Sequence, residues 1–148
     1  MGSRKLPSTV RSVMSKPVIT VGPECSLREA AELMTKKRVG SLVVTREGTP
    51  VGVVTERDVL EKVVAKGLNA TKVHMKEIMS TPLITVKSDV SIVDAIRMMQ
   101  KERIRRLLVM EKGKLDGIVT QRDLPRALAF HVVISFRPLL ETSEEVDG

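Results

Sequence analysis

The stretch Gly-Val-Val-Thr-Glu-Arg-Asp, residues 52–58, returns as Gly-Ile-Val-Thr-Gln-Arg-Asp at residues 117–123. At the same offset of 65 positions, residues 13–60 align with residues 78–125 without a gap, with 19 identities in 48 positions. The chain is therefore an internal duplication. Because two copies are too few for a solenoid, we expect a pseudo-twofold pair of repeats that share one core.

Each copy begins with a predicted strand and a predicted helix. The strands are residues 18–21 and 83–86, which follow prolines and are rich in β-branched residues. The helices begin after Ser26 and Ser91, and each serine is followed three residues later by an acid, Glu29 or Asp94, as in a capping box. A buried stripe is predicted at helical spacing. Its members are Leu27, Ala30, Ala31 and Met34 in the first copy and Ile92, Ala95, Ile96 and Met99 in the second.

Two apolar runs and a second helix complete each copy. Residues 41–45 and 51–55 are joined by residues 46–50, and residues 107–110 and 117–120 flank Gly113, which predicts hairpins with loops of three to five residues. A helix is then expected after Thr55 and after Thr120. The predicted fold class is α/β of the α+β type, with two β-α-β-β-α repeats packed as a pseudo-twofold pair.

Composition restricts the class of protein. Among 148 residues, 25 Lys and Arg stand against 18 Asp and Glu, and this net charge of +7 favours anionic partners. A single cysteine, Cys25, and two histidines predict neither a disulfide nor a structural zinc, so we expect a reduced, cytoplasmic protein. No run approaches the roughly 18 apolar residues of a membrane span. Glycine-rich phosphate loops, Gly-x-Ser-x-Gly and paired histidines are missing, which predicts that the protein is not an enzyme.

The corner after each repeated threonine is the strongest chemical signal. A strand ends there and a helix begins, so backbone N–H groups lie beside a hydroxyl, a guanidinium and a carboxylate. Such a corner suits a sugar phosphate, and its members are Thr55, Arg57 and Asp58, with Thr120, Arg122 and Asp123 in the second copy. Alternatively, the threonines are N-caps with aspartates at N3, worth about 1 kcal/mol. Both roles can hold together.

A basic run lies at the entrance of one predicted strand. Arg105 and Arg106 belong to it, whereas Gly40 and Ser41 take their places in the first copy. The run is either a solvated face or an anion site. If two half-sites exist, they differ, and the arginines should take the more anionic ligand.

At these residues the sequence resembles the CBS-domain family, named after cystathionine β-synthase, in the paired form called a Bateman module. The resemblance covers about residues 10–129. It rests on Met-Ser-Lys-Pro-Val-Ile-Thr-Val at 14–21, Met-Ser-Thr-Pro-Leu-Ile-Thr-Val at 79–86, and the Gly-x-Val-Thr-x-Arg-Asp that ends each copy. It implies that the two sheets pack together and leave two clefts for adenosine-type ligands.

The resemblance also implies which residues bind. One cleft would use Thr55 and Asp58 for ribose, Arg105 and Arg106 for phosphate, and backbone around Ile84 for adenine. The other would use Thr120 and Asp123, with Ile19 against the base and with Gly40 and Ser41 in place of the arginines. We therefore expect AMP, ADP or ATP in the first cleft. The second would hold a less charged compound such as S-adenosylmethionine, or stay empty.

The expected function is that of a stand-alone regulatory module, an energy or metabolite sensor that requires no cofactor besides a regulatory adenosine nucleotide. The expected partners are a second copy, as a homodimer, and an effector protein whose identity is unknown. The expected domains are a first CBS repeat at 10–66, a connector at 67–76, a second repeat with an extension at 77–140, and an acidic tail at 141–148. The apolar segment 127–140 is a candidate contact surface or a packed last helix.

Two other functions stay open. The basic surface would also suit a nucleic-acid-binding protein, whose affinity would fall steeply with salt. A dimerisation module without a ligand would use the Thr and Asp pairs only as helix caps, and its dimers would ignore every nucleotide.

Overall fold

Two similar units, each with a three-stranded sheet, make up the computed structural model, which describes residues 9–81 and 83–124. The elements follow a 3-10 turn at Val10–Ser12 and are, in order, β1 (Thr20–Val21), α1 (Leu27–Lys37), β2 (Ser41–Arg46), β3 (Thr49–Thr55), α2 (Glu56–Val59) with a π-helical continuation (Leu60–Val64), α3 (Met75–Ile78), β4 (Thr85–Lys87), α4 (Ile92–Glu102), β5 (Arg106–Glu111) and β6 (Lys114–Thr120). In each sheet the first strand pairs in parallel with the second, and the second pairs antiparallel with the third. The predicted α+β fold class and the duplication are confirmed.

Serine caps begin the two long helices as predicted. Ser26 Oγ accepts the N–H of Glu29 at 3.2 Å, and Ser91 Oγ accepts the N–H of Asp94 at 3.0 Å. The return bond of a full capping box is not formed in α1, where Glu29 Oε2 accepts from Cys25 Sγ at 3.8 Å instead.

The predicted apolar stripes face the core with one exception. Leu27, Ala30 and Met34 are buried, as are their counterparts on α4. Ala31 is exposed, so its predicted place in the buried stripe is wrong. The single methyl group of Ala31 does not reach the core, whereas its longer counterpart Ile96 is partly buried against the second core.

Hairpins join the second and third strands, but the predicted loop length is wrong. Only Glu47 and Gly48 form the first turn, with φ of 51° and 80°, and Lys112 and Gly113 form the second, with φ of 50° and 76°. Positive φ at both turn residues is typical of the type I′ turn, whose twist matches that of the strands. The sequence predicts that Pro50 belongs to the loop. It lies inside β3 instead, an edge strand of its sheet, where proline is tolerated.

The core has one cluster in each repeat and a third between them. The third cluster contains Val43, Val53 and Leu108, which come from both sheets. The sheets therefore pack against each other, as the duplication predicts, and the cleft described below opens beside this contact.

The first residues of each repeat pack against the other repeat, a contact that was not predicted from the sequence. Val10 is buried in the core of the second repeat, and its N–H donates to Val90 O at 2.9 Å. Ser15 forms a bridge with Ile118 in β6, and Ser80 forms the corresponding bridge with Val53 in β3. The two repeats are thus joined by exchanged segments as well as by the sheet contact.

Several predicted features lie outside the described residues. These are the segment 127–140, the tail 141–148 and most of the helix expected after Thr120. In the predicted connector 67–76, Val73 and Met75 are buried in the first core, and Met75 begins the unpredicted helix α3. Within the described ranges, no helix is long and apolar enough to cross a membrane.

Candidate ligand cleft

A cleft of about 890 Å³ lies between the two repeats. Ten of the twelve predicted binding residues line it, and they are Gly40, Ser41, Thr55, Arg57, Asp58, Ile84, Arg105, Arg106, Thr120 and Arg122. The residues expected in two separate clefts therefore meet in one continuous cleft. We call Thr55, Asp58, Ile84, Arg105 and Arg106 the first half-site. The second half-site is Thr120, Asp123, Ile19, Gly40 and Ser41.

Ile19 and Asp123 are not among the lining residues. Ile19 packs against the first core, and its carbonyl accepts the N–H of Val43 at 3.1 Å. Ile84, its counterpart, makes the same bond with Leu108 at 3.1 Å but also lines the cleft. The half-sites are therefore unequal at the predicted adenine position as well as at the phosphate position.

The capping interpretation of Thr55 and Asp58 is confirmed. Thr55 Oγ1 accepts the N–H of Asp58 at 3.2 Å, and Asp58 Oδ2 accepts the N–H of Thr55 at 2.9 Å and its hydroxyl at 3.1 Å. These reciprocal bonds fix the first turn of α2 and hold the carboxylate at the end of β3.

The other oxygen of Asp58 bonds to two residues that the sequence analysis missed. Lys62 Nζ lies 3.0 Å from Asp58 Oδ1, and Ser80 Oγ donates to the same oxygen at 3.1 Å. Lys62 Nζ also donates to Ile78 O at 2.8 Å. The spacing of four residues between Asp58 and Lys62 was a signal in the sequence, because such positions are neighbours on a helix surface.

Asp58 is a buried and ionised carboxylate. Its residue is 8% exposed, and burial alone would raise its pKa. The hydrogen bonds from Thr55, Lys62 and Ser80, with the positive charge of Lys62, outweigh burial and lower the pKa below its ordinary value. The negative charge is therefore retained at neutral pH.

Among the residues that the structure describes, Asp123 has fewer hydrogen-bond partners than Asp58. Asp123 Oδ2 accepts the N–H and the hydroxyl of Thr120, both at 2.9 Å. At the position of Lys62 the second repeat has Ala127, which has no charge to offer. The counterpart of Ser80 is Ser15, which bridges to β6.

Arg106 is a half-buried guanidinium at the entrance of β5. Its Nε is buried and has no hydrogen-bond partner in the part of the chain that is described. Burial lowers the pKa of Arg106, and the positive charge of Arg105 lowers it further. The negative charges of Asp58 and Glu56 offset part of this lowering. Arg105 is exposed, and its carbonyl accepts the N–H of Gln121 at 2.7 Å. Both arginines line the cleft, and Arg106 Nε is a buried donor that no acceptor in the described part of the chain satisfies.

Comparisons with known proteins place this architecture in a family. A model of the CBS domain matches the chain twice, at residues 10–65 and 75–130. The CBS domain-containing protein YhcV of Bacillus subtilis is 35% identical over 117 residues, which cover 79% of this chain and 83% of YhcV. A crystal structure of a conserved protein from Pyrococcus horikoshii superposes with a TM-score of 0.73 at 34% identity, over 83% of this chain and 93% of that one.

A hexameric CBS-CP12 protein from bloom-forming cyanobacteria is also similar, with a TM-score of 0.72 at 28% identity over 78% of this chain and 69% of that one. The two family matches cover most of the chain, coincide with the two units of the fold, and confirm the resemblance. The chain belongs to the CBS-domain family and is a tandem CBS module of the regulatory kind.

Proposed function

We propose that this tandem module binds an adenosine nucleotide in the cleft between its repeats and acts as a sensor of that nucleotide. The observation that carries the proposal is the buried, unpartnered Nε of Arg106 in the first half-site. A buried donor without an acceptor costs free energy, and a phosphate oxygen would satisfy it with a charge-assisted hydrogen bond.

The size and the charge of the cleft support the same ligand class. Its volume of about 890 Å³ lies within the roughly 300–1,000 Å³ of small-molecule sites. Five arginines line it against two carboxylates, Glu56 and Asp58; the arginines are Arg57, Arg103, Arg105, Arg106 and Arg122. This excess of positive charge favours a ligand with at least one phosphate.

Asp58 would couple ligand binding to a change in the contact between the repeats. Its Oδ1 already accepts from Lys62 and Ser80, so a ribose hydroxyl that bonds to this oxygen competes with Ser80. Ser80 belongs to the segment that crosses into the second repeat and bridges to Val53. Ribose binding would therefore loosen a contact between the repeats, and this is the change that a partner would read.

Self-association is the second part of the proposal. The cyanobacterial relative is hexameric, which supports an assembly of several copies of this chain, with a homodimer as the smallest one. Nucleotide binding would then shift the equilibrium between assemblies, or the affinity for an effector protein, by its different affinity for the two states.

A calorimetric titration tests the proposal. AMP, ADP, ATP, NAD and S-adenosylmethionine are titrated into protein from which co-purified ligand has been removed. We expect micromolar binding of at least one adenosine nucleotide and a loss of about tenfold or more in Arg106→Ala. Arg97→Ala removes an equally charged but exposed side chain on α4 and should bind like the wild type.

Silence across the whole panel, with a folded protein, would contradict the proposal. Dimers that ignore every nucleotide would then favour the dimerisation module. DNA or RNA binding that weakens steeply with salt would favour a nucleic-acid-binding protein.

A further inference from the structure

The residue that follows the repeated threonine differs between the repeats, and it is Glu56 in the first and Gln121 in the second. Both positions bond to the strand entrance of their own repeat. Glu56 N–H donates to Gly40 O at 3.1 Å, and Gln121 N–H donates to Arg105 O at 2.7 Å. Both residues line the cleft, so a carboxylate and an amide occupy equivalent corners of it.

The side chain of Glu56 lies over Gly40. A Cβ added at Gly40 would be 3.5 Å from Glu56 Cδ and 3.6 Å from each of its carboxylate oxygens. Gly40 is the residue that stands where Arg105 stands in the other repeat. At the strand entrance the first half-site therefore has Arg105 beside the amide of Gln121, whereas the second half-site has Gly40 beside the carboxylate of Glu56.

No salt bridge neutralises Glu56 within residues 9–81 and 83–124, although its carboxylate is near enough to Arg106 of the first half-site to raise the pKa of that guanidinium. Nearby Arg57 pairs with Glu61 at 3.1 Å, four residues further on. Asp58, which shares the turn with Glu56, is held by Lys62 at 3.0 Å. Glu56 is also exposed, so its carboxylate can meet a ligand that enters the cleft.

We infer that Glu56 is a specificity-determining residue of the second half-site. Its carboxylate favours an uncharged or cationic adenosine compound in this half-site and repels a phosphate. This inference rests on the proposed function, because it assumes that the cleft binds adenosine compounds. A phosphate beside Gly40 would bring like charges together, which disfavours binding in a cleft more strongly than in open water. A neutral 5′ hydroxyl could donate a hydrogen bond to Glu56, and a cationic 5′ group would be attracted to it.

The second repeat has glutamine at the position of Glu56, so Glu56→Gln is the natural substitution for the test. Asp58→Asn is used to weaken the first half-site, and adenosine and AMP are the two probes. In this variant we expect adenosine to bind more tightly than AMP. Adding Glu56→Gln should raise the affinity for AMP about tenfold and leave that for adenosine nearly unchanged.

The reciprocal exchange is the matched control. In an Asp123→Asn background, Gln121→Glu places a carboxylate beside Arg105 and should weaken AMP binding to the first half-site about tenfold, with adenosine little affected. Circular dichroism melting checks that each variant folds. Arg106→Ala can replace Asp58→Asn, since it removes the first phosphate site without altering the cap of α2.

The outcomes separate the inference from the proposed function. If the wild type binds AMP but adding Glu56→Gln to Asp58→Asn leaves the ratio of AMP to adenosine affinity unchanged, the inference is wrong and the function stands. If the Asp58→Asn and Arg106→Ala variants bind neither probe, the second half-site is not a binding site and the inference is again wrong. If the wild type binds no nucleotide or nucleoside at all, the proposed function itself fails.

Discussion

Met79 packs so closely on Gly52 that a Cβ at residue 52 would lie 2.5 Å from its Sδ. Gly52 lies in β3 of the first repeat, whereas Met79 belongs to the segment that leads into the second. Met14 and Gly117 repeat the contact with the repeats exchanged, again at 2.5 Å. The glycine at the head of each Gly-x-Val-Thr-x-Arg-Asp motif therefore makes room for a methionine that joins the two repeats.

Alanine at these glycines should destabilise the protein. In Gly52→Ala the new Cβ would also lie 2.8 Å from Met79 Cβ, so the backbone must shift. We expect a loss of about 1–3 kcal/mol in the free energy of unfolding, measured with urea, and a similar loss in Gly117→Ala. Gly22→Ala is the control, because nothing lies within 4 Å of the added Cβ. Wild-type stability in Gly52→Ala would contradict the packing account.

Lys62 should contribute to stability through Asp58. Lys62→Ala leaves the buried carboxylate without its ammonium partner at 3.0 Å and frees Ile78 O. We expect a loss of about 1–2 kcal/mol in the free energy of unfolding. Lys66→Ala, at an exposed lysine in the turn that follows this helix, controls for the loss of a positive charge. Equal effects of the two substitutions would show that the contact with Asp58 adds nothing.

Asp58 should also make stability depend on pH. Its pKa is lower in the folded protein than in the unfolded chain, so the unfolded state binds more protons in the acidic range. The contribution is complete above the unfolded pKa and is lost as the pH falls through the lowered pKa of the folded protein, on the acidic side of the ordinary carboxylate range. Urea unfolding across this range should give a smaller slope in Asp58→Asn than in the wild type. Asp89→Asn, at an exposed turn, controls for the loss of one carboxylate, and an unchanged slope in Asp58→Asn would contradict the assignment.

Much of the fold follows from local signals in the sequence. The duplication is visible as an alignment of the sequence with itself at an offset of 65 positions, and the serine caps at Ser26 and Ser91 and the hairpins depend on neighbouring residues, so all of them are predicted. The predicted length of the first hairpin loop is too great because Pro50, taken alone, indicates a loop. A strand accepts proline when it lies at the edge of its sheet, as β3 does. Edge position is a property of the assembled sheet.

The contacts between the repeats were out of reach for a different reason. Val10 contacts Val90 across 80 positions of the chain, and Ser80 reaches Asp58 across 22. No periodicity links such residues. The family resemblance implies that Thr55 and Asp58 share a cleft with Arg105 and Arg106. The position of Glu56 over Gly40 depends instead on how the end of β3 meets the start of β2.

The most direct test of the nucleotide-sensor account compares the affinity for AMP in Asp58→Ala and Asp123→Ala by calorimetry. Only the first half-site combines its aspartate with Arg105 and the unpartnered Arg106 Nε. We therefore predict that Asp58→Ala weakens AMP binding by about tenfold or more and that Asp123→Ala has a smaller effect. Each variant loses the carboxylate that accepts the N–H of the preceding threonine, so the melting curves control for folding. Equal losses in the two variants, or no loss in either, would contradict the account.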